Sequence, residues 1–279
     1  MSILITGARG QLGQELTNLL TERDTAFYAC GSQDLDITDE RAVENYFAKN
    51  RPTVVYHCAA YTAVDKAEAE GKKRNYLVNV TGTEIIAKAC QRHNTVLVYI
   101  STDYVFDGTK DGEYLPNDPT NPQNEYGKAK LLGEKAVQKY CDKYYIVRTS
   151  WVFGKYGHNF VYTMLNLAKT HDSLTVVDDQ VGRPTWTRTL AEFITYLVDK
   201  KIKCGIYHCC NDGNCSWYEF ACEILKDKDV KISPVTSAEY PTAAYRPKKS
   251  VMKLSKETGF SSFKDWKSAL SSFMSDKLE

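Results

Sequence analysis

The sequence predicts an α/β fold, a doubly wound parallel sheet followed by a smaller mixed α/β lobe. Two observations carry the prediction: short β-branched and apolar runs alternate with helical segments through the first half, and the runs are apolar on both faces, as strands covered on both sides must be. A third bounds it, because the alternation loosens after about residue 150. Ile3-Leu4-Ile5 is the first strand and leads into a glycine-rich turn that opens a helix. Ala26–Cys30 is the second, and Asp39-Glu40 supplies helix-start chemistry before Ala42-Val43 and Tyr46-Phe47. Val54–Cys58 is the third strand, followed by apolar residues at helical spacing from Thr81 to Cys90. Val96–Ile100 and Tyr144–Arg148 are the fourth and fifth, with a helix beginning at Tyr126 between them. Beyond them, helices are expected near 158–170, 187–199, 216–227 and 263–275, and short strands near 174–177 and 204–210. The domain expectation is 1–150 for the sheet-forming domain and 151–279 for the smaller second lobe, with segments around 173–200 as candidates to return to the first.

Composition narrows the class of function. The 279 residues carry 36 Lys+Arg against 35 Asp+Glu, a formal charge of +1, and are 43% hydrophobic. A chain of this size buries roughly 75% of the surface of its unfolded form, enough for a large core and an enclosed pocket. Near-neutral charge without long basic runs argues against nucleic acid or an anionic membrane as partner and favours a discrete substrate. No apolar stretch approaches the ~20 residues of a membrane span, and the apolar run at the start is too short for a signal peptide, so a cytoplasmic protein is expected. The nine cysteines are an odd number. Cys30, Cys58 and Cys90 sit in apolar runs and read as reduced core residues, and Cys204, Cys209, Cys210, Cys215 and Cys222 contain no Cys-x-x-Cys pair.

After the first strand comes Gly7-Ala8-Arg9-Gly10-Gln11-Leu12-Gly13. Glycines there allow a tight turn, backbone approach to a pyrophosphate and close helix–strand packing, with the phosphate on the helix N-terminus. The spacing, Gly-x-x-Gly-x-x-Gly, departs from the common Gly-x-Gly-x-x-Gly, but its place between strand and helix indicates a Rossmann-type dinucleotide site. The acid that would bind a ribose 2′-hydroxyl is replaced by Cys30-Gly31-Ser32. With no carboxylate to repel a 2′-phosphate, and with Arg9 and Ser32 able to accept one, NADPH is favoured and NADH remains an alternative. Asp36 and Ile37 then bracket the adenine, although a helix-capping turn at Thr38 and Asp39 explains those later residues equally well.

Tyr126 and Lys130 stand at i and i+4, on one helix face. The spacing alone means little, since Tyr196/Lys200 and Tyr245/Lys249 share it. Position distinguishes this pair: Ser101-Thr102-Asp103 ends the fourth strand, where open parallel sheets bind ligands. Together these residues suit carbonyl reduction. The Lys130 ammonium is expected to lower the pKa of Tyr126, which protonates the carbonyl oxygen as hydride reaches carbon, while Thr102 orients that oxygen and Lys130 also holds the nicotinamide ribose.

Longer strings carry a resemblance. The glycine loop and the Ser-Thr, Tyr-x-x-x-Lys constellation resemble the extended short-chain dehydrogenase/reductases. Ala59-Ala60-Tyr61-Thr62-Ala63-Val64-Asp65, Ser101-Thr102-Asp103-Tyr104-Val105-Phe106-Asp107-Gly108, Arg148-Thr149-Ser150-Trp151-Val152-Phe153, Asp179-Gln180-Val181-Gly182-Arg183-Pro184-Thr185 and Tyr245-Arg246-Pro247 resemble the dTDP-4-dehydrorhamnose reductase family nearly end to end. The resemblance implies NAD(P)H-dependent reduction of the 4-keto group of dTDP-6-deoxy-L-lyxo-4-hexulose to dTDP-L-rhamnose. It makes Thr102, Tyr126 and Lys130 catalytic, places Asp103, Tyr104 and Trp151 at the sugar, and lays Ala59, Ala60 and Tyr61 along the cofactor.

Two departures refine it. Related nucleotide-sugar 4,6-dehydratases carry Asp-Glu after the Thr, whereas this chain has Asp103-Tyr104, which leaves ketone reduction. Some family members dimerise around a divalent metal held by acids, one of them where Glu15 stands; a second acidic position falls near Arg188, whose cation repels a metal, so no metal site and a monomer are expected. The competing readings are a non-catalytic regulatory subunit of the methionine adenosyltransferase type, which resembles the same family, and a reductase or epimerase of another nucleotide-linked 4-keto sugar.

Overall fold

A computed structural model describes residues 2–276. The first half runs β1 (Ile3–Thr6), α1 (Gln11–Glu22), β2 (Phe27–Cys30), α2 (Glu40–Asn50), β3 (Val54–His57), α3 (Lys72–Tyr76), α4 (Thr83–Arg92), β4 (Val96–Thr102), α5 (Glu125–Tyr140) and β5 (Tyr144–Thr149). The second half adds β6 (Val152–Phe153), α6 (Phe160–Leu167), β7 (Ser173–Val177), β8 (Val181–Gly182), β9 (Thr185–Trp186) and α7 (Thr187–Asp199). It ends with β10 (Gly205–His208), β11 (Cys215–Ser216), α8 (Trp217–Ile224), β12 (Lys231–Val235) and α9 (Trp266–Asp276).

The six-stranded sheet has the order β10-β5-β4-β3-β1-β2 and is parallel throughout. Strand order reverses between β1 and β3, which opens a crevice at their carboxyl ends, where the glycine turn and the Ala59–Tyr61 segment emerge. The doubly wound expectation holds, and the five predicted strands lie within a residue or two of their runs. β4 extends to Thr102 and so delivers that residue to the crevice. The sixth strand, β10, comes from the second half and pairs with β5.

Helices cover both faces. Leu16, Leu19 and Leu20 of α1 and Leu190, Phe193 and Leu197 of α7 close over Ile3, Ile5 and Val147. Val43 and Phe47 of α2, Ile86 and Cys90 of α4 and Val137 of α5 cover Leu4, Val55, Leu97 and Ile146 on the other side. Each of these large side chains contributes roughly 1.5–3 kcal/mol by leaving water. A separate aromatic cluster, including Phe153, Phe220, Trp266 and Phe273, holds the second lobe together. α3 and α4 are joined through a π-helical turn, Leu77–Gly82, a feature helical periodicity does not reveal.

The glycine turn is set by close contact. Gly7 has φ +66, and a Cβ on Gly13 would lie 2.3 Å from the Gly7 carbonyl oxygen and 2.7 Å from Ala8 Cα, both backbone atoms. Gly13→Ala is therefore expected to force α1 off β1 and cost about 1–3 kcal/mol, read as a lower urea midpoint with unchanged slope. An unchanged midpoint would contradict the packing argument.

Candidate active site

Two adjoining clefts, of ≈ 630 and ≈ 370 Å³, share Arg9, Gly10, Cys58 and Ala60 and form one groove across the strand ends. The smaller is walled by Gly7, Ser32, Asp36, Ile37, Ala59 and Tyr61. The larger is walled by Gln11, Leu12, Thr102, Asp103, Tyr104, Tyr126, Lys130 and Trp151. Gly13 lines neither; it lies beneath, where α1 meets the turn.

The small cleft has dinucleotide chemistry. α1 starts at Gly10 with no side-chain cap and no acid in its first turn, so its leading N–H groups are left for an anion in the groove. The Ala59–Tyr61 segment is fixed from behind: Asn79, fully buried in the π turn, accepts from Tyr61 N at 3.1 Å and donates to Tyr61 O at 2.9 Å. Asn79 also donates to Asn75 Oδ1 at 2.8 Å, and Asn75 donates to the Glu125 carbonyl at 2.8 Å, tying this segment to the start of α5. Sequence reasoning missed both asparagines; their signal was two amides at i, i+4 on a buried helix face.

One expectation about this end needs correction. A carboxylate does stand there: Asp34 accepts from Gly31 N at 2.8 Å and pairs with Arg9 Nη2 at 3.3 Å, on the surface. The turn after β2 brings it back beside the glycine loop, which residue spacing from the glycines could not show. Asp36 folds into a local turn, accepting from Thr38 N at 2.9 Å and Thr38 Oγ1 at 2.7 Å, while Asp39 caps α2. The capping-turn side of the earlier alternative is thus seen, and Asp36 and Ile37 also line the cleft. Arg74 lines it too and was not foreseen.

In the large cleft, Asn124 caps α5 by accepting from Gly127 N at 2.7 Å, which starts the helix at the point that turns Tyr126 inward. Gly127 is required because a Cβ there would meet the Tyr104 carbonyl oxygen at 2.2 Å. Tyr126 meets the Tyr104 ring edge-on, with centroids 6.1 Å apart. Thr102 Oγ1 donates to Asp103 Oδ1 at 3.0 Å and accepts from Tyr104 N at 3.2 Å. Asp103 also accepts from Ser250 Oγ at 2.6 Å, and burial pushes its carboxyl up to about 6. Trp151, at φ +49, stacks on Trp217 with centroids 3.6 Å apart, a partner that the sequence did not indicate. Gln11 donates to the Val152 carbonyl at 3.4 Å and accepts from Asn159 at 3.1 Å, joining the glycine turn to the second lobe.

The tyrosine–lysine electrostatics differ from expectation. Burial and the Asp103 charge raise the Tyr126 phenol above its ordinary value, with the neighbouring Thr102 hydroxyl acting the other way. Burial also lowers Lys130 to about 7, while Glu134 and Cys58 act upward. Lys130 Nζ sits 4.0 Å over the Tyr99 ring, and for Tyr126 and Lys130 alike desolvation is the largest influence. Cys58, read as a reduced core residue, is free and packs partly buried against the core, and it also walls the groove, with its thiol pushed up to about 12 by burial. His57, beside it, is lowered to about 3 by burial and then by Lys130, and its ring bonds Thr6 Oγ1 at 2.7 Å.

Outside the groove, Arg188 lies 3.7 Å from Glu15, 2.6 Å from Glu22 and 2.9 Å from Glu192, so Glu15 faces a guanidinium. No described helix is long and apolar enough to cross a membrane.

A glycine-turned groove that ends at a Thr, Tyr and Lys constellation on a doubly wound sheet defines the extended short-chain dehydrogenase/reductase class. Residues 1–278 match the family described as the RmlD substrate binding domain, and the chain belongs to that family. It is 42% identical over 277 residues to a dTDP-4-dehydrorhamnose reductase of Streptomyces griseus, covering 96% of this chain and 91% of that one. A solved dTDP-4-dehydrorhamnose reductase of Clostridium acetobutylicum is 44% identical, with all of both chains covered and a TM-score of 0.97. One from Bacillus anthracis, solved in complex with NADP, is 39% identical over 99% of both chains, with a TM-score of 0.95.

Proposed function

We propose that the protein reduces the 4-keto group of dTDP-6-deoxy-L-lyxo-4-hexulose to give dTDP-L-rhamnose, with NADPH as reductant. The observation that carries this reading is the convergence of Thr102, Tyr126 and Lys130 with Trp151 in one cleft that continues into the glycine-turned groove. The groove suits a dinucleotide: the uncapped α1 terminus would hold the pyrophosphate, Ala59, Ala60 and Tyr61 would lie along the ribose, and Asp36 and Ile37 would hold the adenine, all of them lining or opening onto the groove. When bound, the nicotinamide supplies hydride to the sugar C4.

The chain's own residues do the rest. Tyr126, protonated at neutral pH because burial holds its phenol up, gives its proton to the C4 oxygen. Thr102, whose hydroxyl rests on Asp103 Oδ1 in the free protein, turns to donate its one hydrogen bond to that oxygen and fixes its orientation. Lys130 in its ammonium form stabilises the phenolate left behind and holds the ribose hydroxyls. Asp103 and Tyr104 position the sugar hydroxyls, and the Trp151–Trp217 stack walls the ring and keeps out water. On this reading the sheet-forming part of the chain binds the dinucleotide, and the second lobe holds the nucleotide-sugar. The protein acts as a cytoplasmic enzyme without a bridging metal at Glu15, and as a monomer, since Arg188 supplies the positive charge there.

Turnover is tested by NADPH oxidation at 340 nm with the enzymatically made 4-keto sugar. A folded protein that binds NADPH but never oxidises it would favour the regulatory-subunit reading instead. Arg9, exposed and paired with Asp34, would turn from it to meet the 2′-phosphate, and Ser32 lines the same cleft. Arg9→Ala is therefore expected to raise the NADPH Kd by about tenfold and leave that for NADH unchanged. Equal loss for both cofactors would remove the 2′-phosphate role.

A further inference from the structure

Behind the cleft lies an ion pair that the proposed reaction does not use directly. Arg148 Nε and Nη2 donate to Glu134 Oε1 and Oε2 at 2.9 and 2.7 Å, a two-pronged fork. The two side chains are only 3% and 2% exposed. Ser101 Oγ donates to the same Glu134 Oε1 at 2.5 Å, and Arg148 Nη1 donates to the Pro116 carbonyl at 3.0 Å. Such a pair is a poor source of stability, because desolvating two charges costs about as much as their attraction returns.

Its location suggests another use. Glu134 is one helical turn beyond Lys130 on α5 and two turns beyond Tyr126. Ser101 immediately precedes Thr102 on β4 and is in register with Arg148 on β5. The fork therefore locks the helix that carries two of the proposed catalytic side chains to β5, and the Ser101 hydroxyl bonded to the same carboxylate ties that helix to β4, the strand that carries the third. Apolar contacts would let the helix slide, whereas a bidentate guanidinium–carboxylate accepts one geometry. Resting on the reductase reading, we propose that Glu134, held by Arg148, is a positioning residue that sets the height of Tyr126 and Lys130 against Thr102 and places a negative charge one helical turn from Lys130.

The groups around Lys130 are Tyr126 and Glu134 from its own helix, Tyr99 from β4, and His57 and Cys58 at the end of β3. Arg148 on β5 offsets Glu134, and Asp103 acts on Tyr126. Glu134 is the carboxylate acting on Lys130, and it raises the lysine's pKa.

The test is the pH profile of kcat, together with NADPH affinity, for three variants. Glu134→Gln should move the basic limb down by about one pH unit, and Arg148→Gln, which leaves Glu134 uncompensated, should move it up. A structural defect would not move it in opposite directions. Since either variant leaves a buried group unpaired and threatens folding, Glu134→Leu combined with Arg148→Met removes both charges and keeps the volume. It should fold, bind NADPH within twofold of wild type, lose about tenfold in kcat and show the lowered limb. Wild-type kcat and profile in the folded double variant, or limbs moving the same way in the single variants, would overturn the proposal while leaving the reductase reading intact. An inactive but folded wild type would overturn that reading itself.

Discussion

Tyr126→Phe is expected to lower kcat by about 10²–10⁴ and to leave KM for the 4-keto sugar near the wild-type value. The substitution keeps the ring that packs edge-on to Tyr104 and removes only the hydroxyl. The Tyr126 phenol is held above its ordinary value by burial and by the Asp103 charge, so the wild-type residue stands ready as an acid and does not leak its proton beforehand. Thr102 and the Lys130 ammonium remain in the variant to polarise the C4 oxygen, which sets a floor under the loss. Steady-state kinetics at saturating NADPH would show the effect, and a kcat within threefold of wild type would remove Tyr126 as the proton donor.

Lys130→Met is expected to cost on the order of 10²–10³ in kcat, comparable to removing one preorganised charge from the transition state. Its protonation predicts a pH dependence with a definite sign. The active form is the ammonium, and burial brings Lys130 down to about 7. Activity is therefore present below that value and falls as pH rises through it, with the phosphates of a bound dinucleotide moving the limb upward. In Lys130→Met the residual activity should lose this basic limb. A limb unchanged in the variant would mean that another group titrates there.

The strands were legible because each is a short apolar run, buried on both faces in β1, β3, β4 and β5 though not in the edge strand β2, and the glycine turn because only glycine tolerates backbone oxygen 2.3 Å from a Cβ position. Thr102 and Tyr126 could be picked out from other candidates since strand ends on one edge of such a sheet converge. What stayed hidden depends on distant segments. Asp34 reaches Arg9 by a turn, Trp217 reaches Trp151 from a helix far along the chain, and Ser250 reaches Asp103 from near the C-terminus. The electrostatic error had a physical origin: a neighbouring ammonium lowers a phenol's pKa in water, but in this cleft desolvation outweighs the attraction.

The most direct measurement follows the hydrogen. NADPH carrying deuterium at the transferable C4 position is incubated with the protein and dTDP-6-deoxy-L-lyxo-4-hexulose, and the product is read by proton NMR and mass spectrometry. The account predicts dTDP-L-rhamnose with one deuterium at sugar C4 and an equal amount of NADP formed. Unlabelled sugar, label at another carbon, or a C4 epimer of the expected product would contradict it.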